Sequence, residues 1–146
     1  MKRIIGIMAI SLAAVFVSKA ASADVIGVWE TVEGKSHVEI TSCDGDKFCG
    51  KIIWLKEPND EKGKPKLDIN NQDEKLRSRP IIGINLLSGL EKTGDQEWDD
   101  GSIYNPEDGN TYSSEMRLKG PDVLEVEGCV LFICKKHYYQ CNQNHV

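Results

Sequence analysis

Residues 36–55 read SHVEITSCDGDKFCGKIIWL, and this stretch decides the fold. Apolar Val38 and Ile40 alternate with polar neighbours, which is the two-residue period of a strand with one buried face. Asp44-Gly45 is a strong turn signal, because glycine adopts the positive φ that a tight hairpin requires. The chain then returns as a strand from Phe48 to Leu55, and its last four residues are predicted to be buried on both faces. The stretch therefore predicts an antiparallel β-hairpin.

The same hairpin pattern recurs along the chain, and no stretch after residue 23 holds apolar residues at helical spacing for three turns. The predicted strands cover residues 25–31, 36–42, 48–55, 80–90, 97–104, 111–118, 123–128 and about 131–140. Eight antiparallel strands joined by short turns close into an up-and-down barrel, which removes exposed sheet edges. The prediction is an all-β, eight-stranded antiparallel up-and-down barrel, and a two-sheet sandwich is the alternative.

One connection, between the third and fourth strands, is much longer than the others. Lys56 to Arg79 carries seven basic and six acidic residues, two prolines and few apolar side chains. Such a segment cannot bury enough surface to form core, so we interpret it as a long loop with one short helical turn near Asp73 to Arg77. Because long loops in compact domains are often functional, it is a candidate lid over the barrel mouth.

The N-terminal segment, residues 1–23, is predicted to be a cleavable signal peptide. Met1-Lys2-Arg3 is followed by an apolar run from Ile4 to Val17, and Ala21-Ser22-Ala23 matches a cleavage site before Asp24. A membrane anchor is the alternative, but the run is shorter than the roughly 20 residues that span a bilayer. The expected product is a periplasmic or secreted single β-barrel domain, residues 24–146, with no membrane span.

The charge of the chain is acidic, with a formal value of −5 that becomes −8 once the cationic residues Lys2, Arg3 and Lys19 are removed. Such a surface repels phosphate backbones, and no stretch interleaves basic and aromatic side chains as a nucleic-acid surface does. Nucleic acid is therefore not an expected partner.

Five cysteines follow residue 23, and export places them where disulfides persist. Cys43 and Cys49 flank one predicted hairpin tip, and Cys129 and Cys134 flank another, so these two pairs are the predicted disulfides. Cys141 is then left over near the terminus. An accidental cysteine is the simplest interpretation, and an intermolecular disulfide and a reactive thiol are the alternatives. A zinc site formed by Cys134, His137 and Cys141 is disfavoured, because a strand points alternate side chains to opposite faces.

The sequence carries no catalytic signature: no nucleophile elbow, no paired zinc histidines, no phosphate-cradling glycine loop and no Cys-x-x-Cys motif. We therefore predict no catalytic residues, no metal, no cofactor and no enzymatic activity. The acidic group Asp95, Glu97, Asp99 and Asp100 remains a remote hydrolase candidate, since paired carboxylates perform acid–base chemistry in glycosidases. A solvated hairpin rim is the simpler interpretation.

Four groups of residues occur in an order typical of one exported bacterial family. They are Gly27-x-Trp29; Val38-Glu39-Ile40 leading to Cys43 and then Cys49-Gly50-Lys51-Ile52-x-Trp54; Arg77-x-Arg79-Pro80-x-x-Gly83; and Gly101-x-Ile103-Tyr104-Asn105-Pro106-Glu107-Asp108-Gly109-x-x-Tyr112. The ordered set resembles the family catalogued as domain of unknown function 2147, over nearly the whole chain after residue 23. The resemblance implies a lipocalin-like barrel in the bacterial cell envelope, with no established catalytic residues.

The opening Gly27-x-Trp29 also resembles the lipocalin signature, in which the tryptophan closes the barrel floor beneath a basic residue of a late strand. The family resemblance implies a Trp-Thr-Arg-like ending, whereas Tyr139-Gln140-Cys141 stands at that place here. Lys135 or Lys136 is the candidate replacement for the basic partner.

Aromatic side chains supply the functional hypothesis, because large apolar bodies with polar tips line ligand pockets. The candidate ligand-binding residues are Trp29, Trp54, Trp98, Tyr104 and Tyr112, with Arg77 and Arg79 in the long loop. The first hypothesis is a non-enzymatic binder of a small, partly apolar ligand inside the barrel. The second is an envelope module with a filled barrel that contacts another protein or a glycan.

Overall fold

The computed structural model describes residues 24–142, so the predicted signal peptide lies outside the described residues. Eight strands form a closed barrel in chain order, and each pairs antiparallel with the next. The strands are β1 Gly27–Glu30, β2 Ser36–Cys43, β3 Lys47–Leu55, β4 Asn85–Lys92, β5 Glu97–Asn105, β6 Asn110–Leu118, β7 Val123–Val130 and β8 Ile133–Cys141. Pairing of β1 with β8 closes the barrel, so the up-and-down prediction is confirmed and the sandwich alternative is not.

The β2–β3 hairpin forms as its sequence predicts. Asp44 and Gly45 both have positive φ, at 40° and 76°, which is the backbone that a tight hairpin turn requires. The Cys43–Cys49 disulfide closes the base of this turn, with 5.9 Å between the two Cα atoms. The second predicted disulfide, Cys129–Cys134, also forms, and Cys141 is the free cysteine within residues 24–142.

The fourth strand begins later than predicted, at Asn85 instead of Pro80. Pro80 has no N–H to donate to a ladder, and it forms an isolated bridge with Leu67. Residues 56–84 therefore form one connection, which we call the strap. Its predicted helical turn is confirmed as a 3-10 helix at Glu74–Leu76, capped by the Asp73 side chain, which accepts a hydrogen bond from the Lys75 N–H.

Apolar side chains of all eight strands fill the barrel. The buried cluster consists of Val25, Trp29, Val38, Ile40, Ile52, Leu87, Leu90, Trp98, Met116, Leu118, Leu124, Val126 and Tyr139. Each of these residues exposes at most 4% of its surface. Such complete burial is typical of a packed protein interior.

The predicted burial of the last four residues of β3 is confirmed only in part. Ile52 is buried, Ile53 and Leu55 are half-buried, and Trp54 exposes 39% of its surface. The pairing of β2 with β3 shifts between His37 and Val38, and this irregularity leaves His37 opposite Trp54. Trp54 stacks on His37, with 4.3 Å between the ring centroids.

The topology sorts the connections between two ends of the barrel. In an up-and-down barrel, the connections that follow odd-numbered strands lie at one end. The strap end, as we call it, therefore carries residues 31–35, the strap, the β5–β6 turn and the β7–β8 tip. Within residues 24–142, no helix is long and apolar enough to cross a bilayer.

Candidate functional site

A fully buried carboxylate, Asp68, fastens the strap to the barrel. The Tyr104 hydroxyl group, on β5, donates a 2.6 Å hydrogen bond to Asp68 Oδ1. The other oxygen, Oδ2, accepts from Arg79 Nε at 2.9 Å and from Asn71 Nδ2 at 2.8 Å. Buried charge is tolerated only when it is paired and hydrogen-bonded, and Asp68 meets both conditions.

Further contacts link Asp68, Arg79 and Tyr104 to one another. The Arg79 guanidinium lies 5.6 Å from the centre of the Tyr104 ring, a cation–π distance, and Arg79 O accepts a hydrogen bond from Asp68 N at 3.0 Å. Burial and then the hydrogen bond to Asp68 raise the pKa of Tyr104, so its hydroxyl remains a donor near neutral pH. Arg77 Nε donates to the Asn71 carbonyl oxygen at 2.8 Å, and this hydrogen bond links two residues within the strap.

The β5–β6 turn is the second attachment point of the strap. Asn70 Nδ2 donates to the carbonyl oxygens of Pro106 and Glu107, at 3.2 and 3.0 Å. Gly109 has a φ of 72°, and a Cβ at this position would overlap the Asn70 carbonyl group. The strap is therefore anchored across the β5–β6 turn and is not a free lid.

A groove lies where the strap meets the middle of β3 and the start of β4. Its volume is about 440 Å³, it opens to solvent, and no carboxylate lines it. The lining residues are Lys51, Arg79, Pro80, Ile82, Gly83, Ile84 and Asn85. The groove thus combines two cationic side chains with an apolar wall.

The structure does not bring the seven predicted site residues into one pocket. Trp29 and Trp98 are part of the filled core. Trp29 Nε1 donates to the Val25 carbonyl oxygen at 2.9 Å, so this indole is satisfied by backbone. Among residues 24–142, Trp98 Nε1 has no hydrogen-bond acceptor.

The remaining predicted residues lie elsewhere on the barrel. Trp54 stacks on His37 and is partly exposed, and the Tyr112 hydroxyl donates to Asp108 within the β5–β6 turn region. Tyr104 and Arg77 hold the strap, and Arg79 alone of the seven lines the groove. The sequence patterns did not indicate Lys51, Ile82 or Asp68 as site residues.

The residues that could form a metal site, an acidic catalytic pair or a basic partner for Trp29 are engaged in other interactions. Glu127, Cys129 and Cys134 have ligand atoms within 4.8 Å of one another, but both cysteines are in a disulfide and offer no thiolate to a metal. Of the acidic rim, Glu97 pairs with Arg117 at 3.6 Å. Lys136, a candidate basic partner of Trp29, pairs with Glu125 instead.

The closed eight-stranded antiparallel barrel, with almost no helix, places the molecule in the lipocalin-like class of folds. The family described as "Uncharacterized protein conserved in bacteria (DUF2147)" matches residues 27–140, and the chain belongs to this family.

A solved structure described as "Protein HP1028 from the human pathogen Helicobacter pylori belongs to the lipocalin family" is similar to this chain. The TM-score is 0.73 and the sequence identity is 25%, over 84% of this chain and 86% of the other. No curated protein matches the chain.

Proposed function

We propose that this chain is a non-enzymatic, exported cell-envelope protein that binds a small, partly apolar anion in the groove between the strap and strands β3 and β4. The single observation that carries the proposal is the pairing of Lys51 and Arg79 with an apolar wall in a groove that contains no carboxylate. The barrel interior is filled, which moves the expected ligand from the barrel axis to this groove.

The two cations have binding capacity left for a ligand. Arg79 uses Nε and Nη2 for Asp68, and its Nη1 makes no hydrogen bond within the described part of the chain. Lys51 is exposed and forms no ion pair with any residue from 24 to 142. Because Asp68 fixes the Arg79 guanidinium, little side-chain entropy is lost when an anion binds there.

The apolar wall suits an alkyl or isoprenoid chain. Ile82 exposes 41% of its surface next to Pro80 and Ile84, and burial of that surface by a ligand is favourable. The volume lies within the range of roughly 300–1,000 Å³ that is typical of small-molecule sites. An acyl carboxylate or an alkyl phosphate has the matching chemistry.

The compartment part of the proposal rests on two features. Two disulfides are typical of proteins in an oxidising environment, and residues 1–23 have the pattern of a cleavable export signal. The similarity to a lipocalin-family structure supports a binding role in general, because eight-stranded barrels include binders of one small ligand. The filled interior of this barrel is the reason that the proposed site is the groove instead.

Titration of the chain from Asp24 onwards with dodecanoate and with dodecyl phosphate tests the groove. We expect saturable binding by calorimetry, and a loss of about tenfold in affinity for Lys51→Gln and for Ile82→Asn. Lys62→Gln, in an exposed part of the strap outside the groove, is the matched control and should bind like the wild type. Equal affinity of Lys51→Gln and the wild type, or no binding of either probe, refutes the proposal.

A filled barrel also favours a second candidate function, an envelope module that contacts a protein or a glycan through the strap. Ile69, on the strap, exposes 67% of its surface. Ile69→Ser removes this exposed side chain and leaves Asp68 and its anchors in place. Loss of a cross-linked envelope partner in this variant, with unchanged dodecanoate binding, would favour the second candidate over the first.

A further inference from the structure

The tip of the β7–β8 hairpin exposes four consecutive apolar residues. Val130, Leu131, Phe132 and Ile133 expose 47%, 88%, 90% and 72% of their surfaces. Single exposed apolar residues are ordinary on soluble proteins, but a contiguous apolar projection marks an interaction site. Nothing in the binding groove involves these residues.

The backbone holds the tip in this exposed conformation. The Cys129–Cys134 disulfide closes its base, and Val130 pairs with Ile133 across the hairpin. Leu131 has a φ of 52°, a left-handed conformation that residues other than glycine, asparagine and aspartate rarely adopt. The disulfide and the strand pairing thus fix the base of a short turn, and the four apolar side chains of the tip lie in solvent.

The residues that directly follow the tip in β8 include two lysines, Lys135 and Lys136. Residues 128–137 read GCVLFICKKH and contain two lysines and no acidic residue, in a chain whose net charge is −5. Lys135 forms no ion pair with any residue in the described range 24–142, and Lys136 shares Glu125 and Glu127 at 3.3 and 3.5 Å. Both lysines are exposed.

We propose that the β7–β8 tip docks on a phospholipid bilayer, with Leu131 and Phe132 inserted below the headgroups. A narrow convex apolar tip matches a fluid interface, which closes around it, better than it matches a rigid protein surface. Lys135 follows the tip by two residues, so its ammonium group lies at the level of the lipid phosphates when the tip is inserted. Docking in this way places the strap end of the barrel against the membrane.

Neighbouring side chains support this orientation. Val32, in the β1–β2 connection at the strap end, exposes 41% of its surface, and its 3-10 helix packs near β8. Of the exposed large apolar side chains among residues 24–142, Ile26 lies at the opposite end, whereas Leu67, Ile69 and Ile82 lie with the tip at the strap end. Exposed apolar surface is thus concentrated at one end of the barrel, as expected for a protein that approaches a membrane with that end.

Vesicle co-sedimentation of the chain from Asp24 onwards tests the proposal, since the apolar run at residues 4–17 would itself bind lipid. The probes are vesicles of phosphatidylethanolamine with phosphatidylglycerol and vesicles of phosphatidylcholine alone. We expect the wild type to sediment with the first and Leu131→Ser/Phe132→Ser to partition about tenfold more weakly. Lys135→Gln should weaken binding and reduce its dependence on salt.

Ile26→Ser is the matched control, because it removes an exposed apolar side chain that lies just before β1, at the opposite end of the barrel from the tip. It should sediment like the wild type. Circular dichroism and a count of one free thiol establish that each variant is folded and oxidised. Failure of the folded wild type to sediment, or equal sedimentation of the tip variant, overturns the proposal. A wild-type dimer that the tip variant converts to a monomer, without lipid binding, also overturns it in favour of a second copy.

Discussion

The hydroxyl group of Tyr104 on β5 lies 2.6 Å from Oδ1 of Asp68, a residue 36 positions earlier in the strap. This contact joins the most polar segment of the chain to the barrel wall. Since Asp68 is fully buried and also accepts from Arg79 and Asn71, each donor in the cluster supports the same carboxylate. The groove depends on this cluster, because Arg79 lines it.

Tyr104→Phe should loosen the strap while leaving the barrel closed. The change removes one donor from a buried carboxylate, so we expect the free energy of unfolding to fall by about 1–3 kcal/mol. Amide hydrogen exchange over residues 66–81 should accelerate more than exchange in β6 and β7. Urea denaturation and exchange mass spectrometry measure these two effects.

Tyr112→Phe is the matched control for this prediction. Its hydroxyl group also donates to a carboxylate, Asp108, but that pair is at the surface and water replaces the lost hydrogen bond. We expect a change within about 0.5 kcal/mol. Equal losses for the two variants would contradict the role assigned to Asp68.

Gly109→Ala should release the strap from the β5–β6 turn. The added Cβ overlaps the Asn70 carbonyl group and also forces alanine into positive φ. The expected loss in the free energy of unfolding is about 2–4 kcal/mol, from both effects together. Gly63→Ala separates them, because Gly63 has a φ of 75° and no neighbour within 4 Å of the added Cβ. If Gly63→Ala is as destabilising as Gly109→Ala, the contact with Asn70 contributes nothing.

The barrel could be predicted because its signals are local. Alternation along 36–42 and the Asp44-Gly45 turn act within a few residues, and eight strands joined mostly by such short turns favour a closed barrel over a sandwich. The disulfides followed from the same hairpins. Trp54 was misplaced because a continuous apolar run has no period, and only the register shift beside His37 decides which face it occupies.

The groove could not be predicted from the sequence, because it depends on contacts between distant residues. Asp68 lies in a segment whose composition indicates solvent exposure, and its burial depends on Tyr104 and Arg79, which are 36 and 11 positions away. The motif at residues 77–83 could be recognised in the sequence. The roles of Arg77 and Arg79 in it could not be predicted, because they depend on contacts within the folded strap. The sequence alone also does not decide whether an aromatic residue such as Trp98 packs in the core or lines a ligand pocket, because both roles need a large apolar side chain.

The cysteines give a prediction that labelling can test. After denaturation without reductant, one thiol per chain should react, and the modified peptide should contain Cys141. Replacement of both Cys43 and Cys49 by serine should lower the free energy of unfolding by about 2 kcal/mol, since the loop they close is short. Three or more reactive thiols in the oxidised protein would contradict the two disulfides.

The outer face of β5 to β8 predicts how stability depends on pH. Arg117 contacts four glutamates, Glu97, Glu115, Glu125 and Glu127, and Lys136 contacts the last two. Burial acts to raise the pKa of Glu125, but hydrogen bonds from Tyr138 and Lys136 together with the nearby positive charge of Lys136 outweigh it and hold the pKa below its ordinary 4.5. Because the folded state lowers this pKa, the carboxylate stabilises the fold above pH 4.5, and that contribution is lost as the pH falls through the folded value.

Glu125→Gln should therefore be destabilising at pH 7, by about 1–3 kcal/mol, and much less so at pH 3. Glu115→Gln should have the opposite effect and stabilise the fold at pH 7. Burial and the negative charge of Asp99 raise the pKa of Glu115 by more than Arg117 lowers it, so the net pKa is raised. The charged form of Glu115 therefore disfavours folding at neutral pH. Urea denaturation of both variants and the wild type at pH 7, 5 and 3 measures the differences, and Glu57→Gln, in an exposed ion pair with Lys66, is a control with little expected effect. If the stability of Glu125→Gln and of Glu115→Gln, relative to the wild type, changes with pH in the same direction, the opposite pKa shifts assigned to the two carboxyl groups are wrong.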